Sequence, residues 1–182
     1  MKKLTVAILL ALSVGGVYAQ TPVMNSAKEV ATPELAQKRE ALKQVIVAKY
    51  LGLKQNLIMS DSLQAAKTAG EFAAALNQFK FKKLGLEEMN AATTMRGKLQ
   101  ELATNIARTQ SINKQRNYFM ELSEGMWTVI ARFVPEKTAL YEQKCPMTGK
   151  VWISDVKEIK NPYYPKNMLT CGEVTASVGV AE

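Results

Sequence analysis

The chain of 182 residues contains no histidine. This removes the triads that use histidine as a base and every zinc site with an imidazole ligand. Cysteine occurs only twice, at Cys145 and Cys171. Two thiols cannot make a four-cysteine zinc centre within one chain. They also lack the C-x-x-C spacing common in dithiol redox proteins. No paired carboxylates or nucleophile motif stands out, so an enzyme is not expected. The one apolar run, residues 4–14, falls short of the ~20 residues a membrane-spanning helix needs.

That run has a different meaning. Lys2 and Lys3 precede it, and Val17-Tyr18-Ala19 follows with small residues at both ends of a cleavage signal. Residues 1–19 read as a secretory signal peptide cut after Ala19. No cysteine follows the cut, so a lipid anchor is not indicated. The expected product is periplasmic and has no membrane span. The net charge is +8, and losing Lys2 and Lys3 lowers it by two, to +6. Basic residues are interspersed with acidic ones, and no long basic block occurs. The charge is read as favouring solubility, and nucleic acid is not an expected partner.

Residues 20–31 are small, polar and aperiodic, and are read as a flexible leader. Residues 32–135 carry four amphipathic patterns. Thr32 and Pro33 suit a helix start, and Leu42, Ile46, Tyr50, Leu53 and Leu57 recur on one helical face. Asp61 and Gln64 have capping-box spacing. Ala65, Ala69, Phe72, Leu76 and Phe79 follow, with Gly85 as terminator. A third helix over about 87–109 carries Ala92, Met95, Leu99, Leu102 and Ile106. A fourth starts near Ser111, carries Phe119, Leu122, Met126, Ile130 and Phe133, and is stopped by Pro135. Short connections between four such helices predict a mainly α protein built on an antiparallel four-helix bundle. Met59, Met89, Met95, Met120 and Met126 are expected to fill its core.

Residues 136–182 differ in character. Thr148-Gly149 and Asn161-Pro162 read as turns, Val151-Trp152-Ile153 as a β segment, and Gly172 as a place for an unusual backbone angle. Tyr141, Trp152, Tyr163 and Tyr164 concentrate here. The prediction is a loop-rich appendage with short β segments, packed on the bundle.

The appendage holds both cysteines, each with a methionine nearby. Pro146 pushes Cys145 toward extended geometry, where Cys145 and Met147 would face the same side. Met168 and Cys171, three apart, would share a face of a helical turn. Were the two segments to meet, Cys145, Met147, Met168 and Cys171 would offer four soft sulfur donors. Such a set favours Cu(I) over hard cations, and Ag(I) shares that softness. A Cys145–Cys171 disulfide is the competing reading for an exported chain. The chain-entropy model values it at roughly 3–4 kcal/mol. Free thiols are a third. Lys144, Lys150 and Lys166 either favour thiolate or are simply solvated. The aromatic residues either screen a bound ion or pin the appendage to the helices.

Cys-Pro-Met at 145–147, Trp-Ile-Ser at 152–154, "KEIKNPYY" at 157–164 and "MLTCGEV" at 168–174 resemble a bacterial C-terminal signature. It is that of the domain-of-unknown-function family numbered 3347. The resemblance extends over the helical region and through Val174, and is most specific in the last third. It implies a periplasmic domain associated with copper or other soft-metal handling, with a heavy-metal efflux adaptor as partner. It also implies Cys145, Met147, Met168 and Cys171 as ligands. Pro165 departs from the glycine common at that position and stiffens the loop before Met168. Absence of a long heptad seam leads us to expect a monomer. An envelope interaction module stapled by a disulfide is the alternative function.

Overall fold

The computed structural model describes residues 32–180. The expected signal peptide and leader, and the two last residues, lie outside them. The architecture is mainly helical, with four helices followed by a small three-stranded antiparallel sheet.

Helix α1 spans Pro33–Ile58, α2 Ser62–Gln78, α3 Leu86–Ala107 and α4 Ile112–Val129. Each begins close to its predicted start. Thr32 Oγ1 accepts from Leu35 N–H, and Asp61 Oδ1 accepts from Gln64 N–H, satisfying amides that a helix start leaves orphaned. The capping box at Asp61 is one-sided, because its own N–H donates to Asn56 O. Gly85 does not terminate α2. That helix ends at Gln78, and Gly85 stands as the N-cap of α3. The residues between turn inward, burying Phe79 and Phe81 against Phe133.

The predicted stripes form the core. Ile46, Leu53, Leu57, Ala65, Phe72, Leu76, Leu99, Ile106, Phe119 and Leu122 are all buried. Met126 is buried, and Met89, Met95 and Met120 pack partly buried against the core. Met59 is a correction: it is 68% exposed. It caps α1 just before Ser60 takes a positive φ, so the chain leaves the helical stripe there. Met95 Sδ and a Leu99 methyl would lie only 3.1 and 3.2 Å from a Cβ at Gly125, which brings α3 close to α4. Helix α4 does not run unchanged to Phe133. Its end tightens into a 3-10 turn at Ile130–Arg132, and Phe133 and Val134 N–H both donate to Ile130 O.

The sheet comprises β1 (Ala139–Lys144), β2 (Val151–Ser154) and β3 (Glu173–Gly179). Strand β1 is central, in the order β2-β1-β3. Only the β2 triplet was legible as a strand. In β1, Tyr141 pairs with Ser154 and Lys144 with Val151; on its other side Lys144 pairs with Glu173. A bulge at Glu142/Gln143 interrupts the second ladder.

The sheet is joined to the helices by buried polar contacts. Ser123 Oγ donates to Phe119 O, which uses its single proton. The Tyr50 hydroxyl, 2.6 Å away, therefore donates to Ser123 and accepts from Ile153 N–H at 3.0 Å. Lys54 Nζ donates to Ser154 Oγ. Burial pushes the Tyr50 phenol far up and the Lys54 ammonium down.

Gly172 does not supply a left-handed backbone; that role falls to Gly149 and Gly179. Its importance is close approach. A Cβ there would lie 2.8 Å from both Trp152 and Ile159 side-chain atoms.

Two outcomes are expected in urea unfolding. Tyr50→Phe keeps the ring stacked on Phe119 but orphans Ile153 N–H. It should cost about 1–3 kcal/mol; a loss below about 0.5 kcal/mol would show that the hydroxyl joint is unimportant. Gly172→Ala should cost about 1–3 kcal/mol through overpacking, and an unchanged midpoint would contradict the close contact.

Candidate functional site

Cys145 follows β1 and opens the hairpin to β2. Its N–H donates to Lys150 O at 3.0 Å, and its carbonyl accepts from Thr148 and Gly149 N–H. Pro146 is thus at the second position of a turn, where its fixed φ fits. Gly149, at φ +70°, completes the reversal at no steric cost. The extended Cys-Pro-Met geometry expected from the sequence does not form. Joining antiparallel β1 to β2 requires a reversal at these residues, and the turn prevails. Cys145 is consequently 0% exposed, whereas Met147 is 76% exposed.

The second segment arrives by a different route. Met168 N–H donates to Tyr164 O, and Cys171 N–H donates to Met168 O at 3.1 Å. This is a tight turn of the kind expected from the three-residue spacing. Met168 and Cys171 are both half-buried. Asn161 organises the loop, and sequence reasoning saw it only as the start of a turn. Its Nδ2 donates to Cys171 O, its Oδ1 accepts from Tyr163 N–H, and its N–H donates to Leu169 O. The only sequence signal for it was the Asn-Pro dipeptide.

The two routes converge. Cys145 Sγ and Cys171 Sγ are 2.7 Å apart. Met168 is held on the same turn as Cys171, and Met147 follows Cys145 at the hairpin tip. Among the described residues, no group of three or more His, Cys, Asp and Glu could hold a metal. Any donor added to the two thiolates would therefore have to come from methionine or another group.

Comparison with known families adds one finding. A family model described as "Protein of unknown function (DUF3347)" matches residues 46–138, just over half of the chain. The chain belongs to the DUF3347 family. The match lies over the helices and ends before Cys145, so it does not extend to the Cys/Met signature of the last third. No curated protein and no solved structure matches this DUF3347 chain. Among the described residues, no helix is long and apolar enough to cross a membrane.

The electrostatics of the pair are asymmetric. Burial opposes ionisation of Cys145. Hydrogen bonds from the Cys171 thiol, from the Thr148 side chain and N–H, and from Met147 N–H outweigh it and hold the Cys145 thiol below its ordinary value. Donating to Cys145 pushes the Cys171 thiol up, and burial and the neighbouring charge add to this. The Cys171 thiol first, then the Thr148 side chain and the hairpin amides, favour the Cys145 thiolate, and the nearby lysines are not among the causes. Lys150 is otherwise engaged, its Nζ lying 5.3 and 4.9 Å from the Tyr163 and Tyr164 ring centres.

The aromatic residues mainly pin the appendage. Tyr163 packs against Phe119 of α4 and Trp152 of β2, and its hydroxyl donates to Val151 O. Trp152 Nε1 donates to Gln143 Oε1, and Gln143 Nε2 donates to Val156 O. Gln143 went unnoticed in the sequence because a lone glutamine in a strand carries no pattern.

For the reduced protein, thiolate absorbance should rise in two steps that belong to the pair. One lies below and one above the ordinary thiol range. The lowered Cys145 value stabilises the fold above its unfolded value, and this is lost as pH falls through the folded value. The raised Cys171 value acts oppositely, stabilising below its unfolded value and losing that effect as pH rises through the folded one. Cys145→Ser should remove the low step. A single step at the ordinary thiol position for both groups would contradict the thiol–thiolate arrangement.

Proposed function

We propose that this DUF3347 protein is an exported, periplasmic carrier of a soft monovalent metal, Cu(I) foremost and Ag(I) by the same chemistry. The observation that supports it is the convergence of Cys145 and Cys171 beside Met168. Thiolate and thioether are the donors soft ions select; the two thiols meet from segments 26 residues apart in sequence, and Met168 lies on the same turn as Cys171. In this reading the four helices form an antiparallel bundle that serves as scaffold, with the 136–182 segment as the binding head.

The two thiols have unequal roles. Cys145 is the fixed ligand, because the hairpin holds it and the Thr148 side chain and hairpin amides help stabilise its anion. Cys171 is the adjustable one. Metal–thiolate bonds near ~2.3 Å, as for zinc, need the sulfurs farther apart than they are here. The half-exposed Cys171 turn is the part that can give. Met168 supplies a neutral donor from the same turn. Met147, at the hairpin tip, is placed to receive or release the ion by ligand exchange with a heavy-metal efflux adaptor.

One observation favours a second reading. The sulfurs stand in near contact, which also suits oxidation to a disulfide staple in an exported protein. The chain would then be an envelope interaction module.

Titration of the reduced protein with Cu(I) against a competing chelator separates the two. One-to-one binding is expected. Cys145→Ser should weaken it by 100-fold or more and Met168→Leu by about tenfold, roughly 1.4 kcal/mol per factor of ten. A Cys145→Ser, Cys171→Ser double variant that keeps full affinity would sink the proposal. A native mass two hydrogens below that of the reduced form would support the staple.

A further inference from the structure

A different face of the same appendage carries a second constellation. Two adjoining cavities of about 220 and 280 Å³ open between the start of α4 and the 161–171 loop. They share Asn113, Arg116, Tyr163 and Tyr164. Lys166 and Asn167 line the first, Lys150 and Asn117 the second. No acidic side chain lines either cavity.

Asn113, Arg116 and Asn117 share one helix face by their i, i+3 and i+4 spacing. They sit in the first two turns of α4. Arg116 is positioned rather than neutralised. Its Nε donates to Pro162 O, and its Nη2 donates to Leu57 O and Ser60 Oγ. These partners are neutral, and the three bonds leave the Nη1 donors of the fork unused. Lys150 is held over two aromatic rings, which likewise carry no net charge. Three cations therefore face a partly enclosed space with amide donors beside them and no counter-charge. Ordinary core packing does not require that, and a surface salt-bridge network would supply acids.

The geometry points to a binding site for a small organic polyanion. Its carboxylate or phosphate groups would be received by Arg116, Lys150 and Lys166. Its oxygens would be met by the amides of Asn113 and Asn117, and its body would lie against Tyr164. Charge-assisted bonds to oxyanions are the strong class for such donors. The site is separate from the thiol pair but shares its loops. Lys150 ends the Cys145 hairpin, and Tyr164 O accepts from Met168 N–H. Occupancy would tie the 161–171 loop to α4.

The test titrates citrate and, separately, inorganic pyrophosphate into the reduced, metal-free protein at ionic strength fixed with chloride. Side-chain amide signals of Asn113, Asn117 and Asn167 are followed by 15N-resolved NMR. Saturable shifts at Asn113 and Asn117 are expected with at least one probe. Saturation by citrate assigns a carboxylate ligand, and saturation by pyrophosphate alone a phosphate ligand. Asn113→Asp and Lys166→Glu, both at exposed positions, should each weaken binding about tenfold or more. The Cys145→Ser, Cys171→Ser double variant should bind unchanged, which keeps this result independent of the metal reading. Linear, unsaturable shifts with both probes would overturn the site, as would equal binding by Asn113→Asp.

Discussion

The position of the sulfur pair depends on one buried hydroxyl. Tyr50 stands in the middle of α1, donates to Ser123 of α4 and accepts from the backbone of β2. Both hydroxyl functions are thereby used within the core. An unmade bond at such a site costs a full desolvation penalty, so the joint has few alternatives. Once β2 is fixed, its register with β1 is fixed. Tyr141 must face Ser154 and Lys144 must face Val151. Cys145, one residue beyond that ladder, then has only the hairpin turn to enter. Its burial follows from a contact 95 residues earlier in the chain.

Cys171 is delivered by a second chain of constraints. Tyr163 fills space between Phe119 and Trp152, and Asn161 then closes the loop on itself by bonding Cys171 O and receiving Tyr163 N–H. Gly172 lets the chain pass against Trp152, where a methyl group would collide. The glycine's value is spatial. A backbone-freedom argument, natural from sequence, gives the right residue and the wrong reason.

The helical part was legible because its signals are local and repeated. Caps at Thr32 and Asp61 and stripes at three-four spacing each constrain a neighbour a few residues away. The tail of α4 was less so, since Ile130 lies where helix tightens to a 3-10 turn before Pro135. Strand β3 is mostly exposed, and its two bulge-separated halves present no clean alternation to read. At the site, sequence singled out the two cysteines that the fold brings together. The extended Cys-Pro-Met geometry was misjudged, because a Cys-Pro dipeptide favours extended backbone only until a hairpin demands a turn. Arg116 was silent and Asn161 showed only as a turn, because their partners are mostly backbone groups, which no residue code reveals.

The asymmetry between the thiols has a consequence for chemistry. The residue with the more stabilised anion, Cys145, is the one sealed from solvent, and the residue that keeps its proton, Cys171, is half-exposed. A reagent or ion arriving from outside therefore meets the protonated sulfur first. Removing that proton also removes the hydrogen bond that stabilises the Cys145 anion. In the proposed reading, a monovalent soft cation would replace the lost bond with a charge shared by both sulfurs, whereas a proton acceptor alone would leave two repelling thiolates. In the proposed soft-metal reading, uptake of the ion would thus be coupled to loss of the Cys171 proton, with the hydrogen bond between the sulfurs given up in the same event.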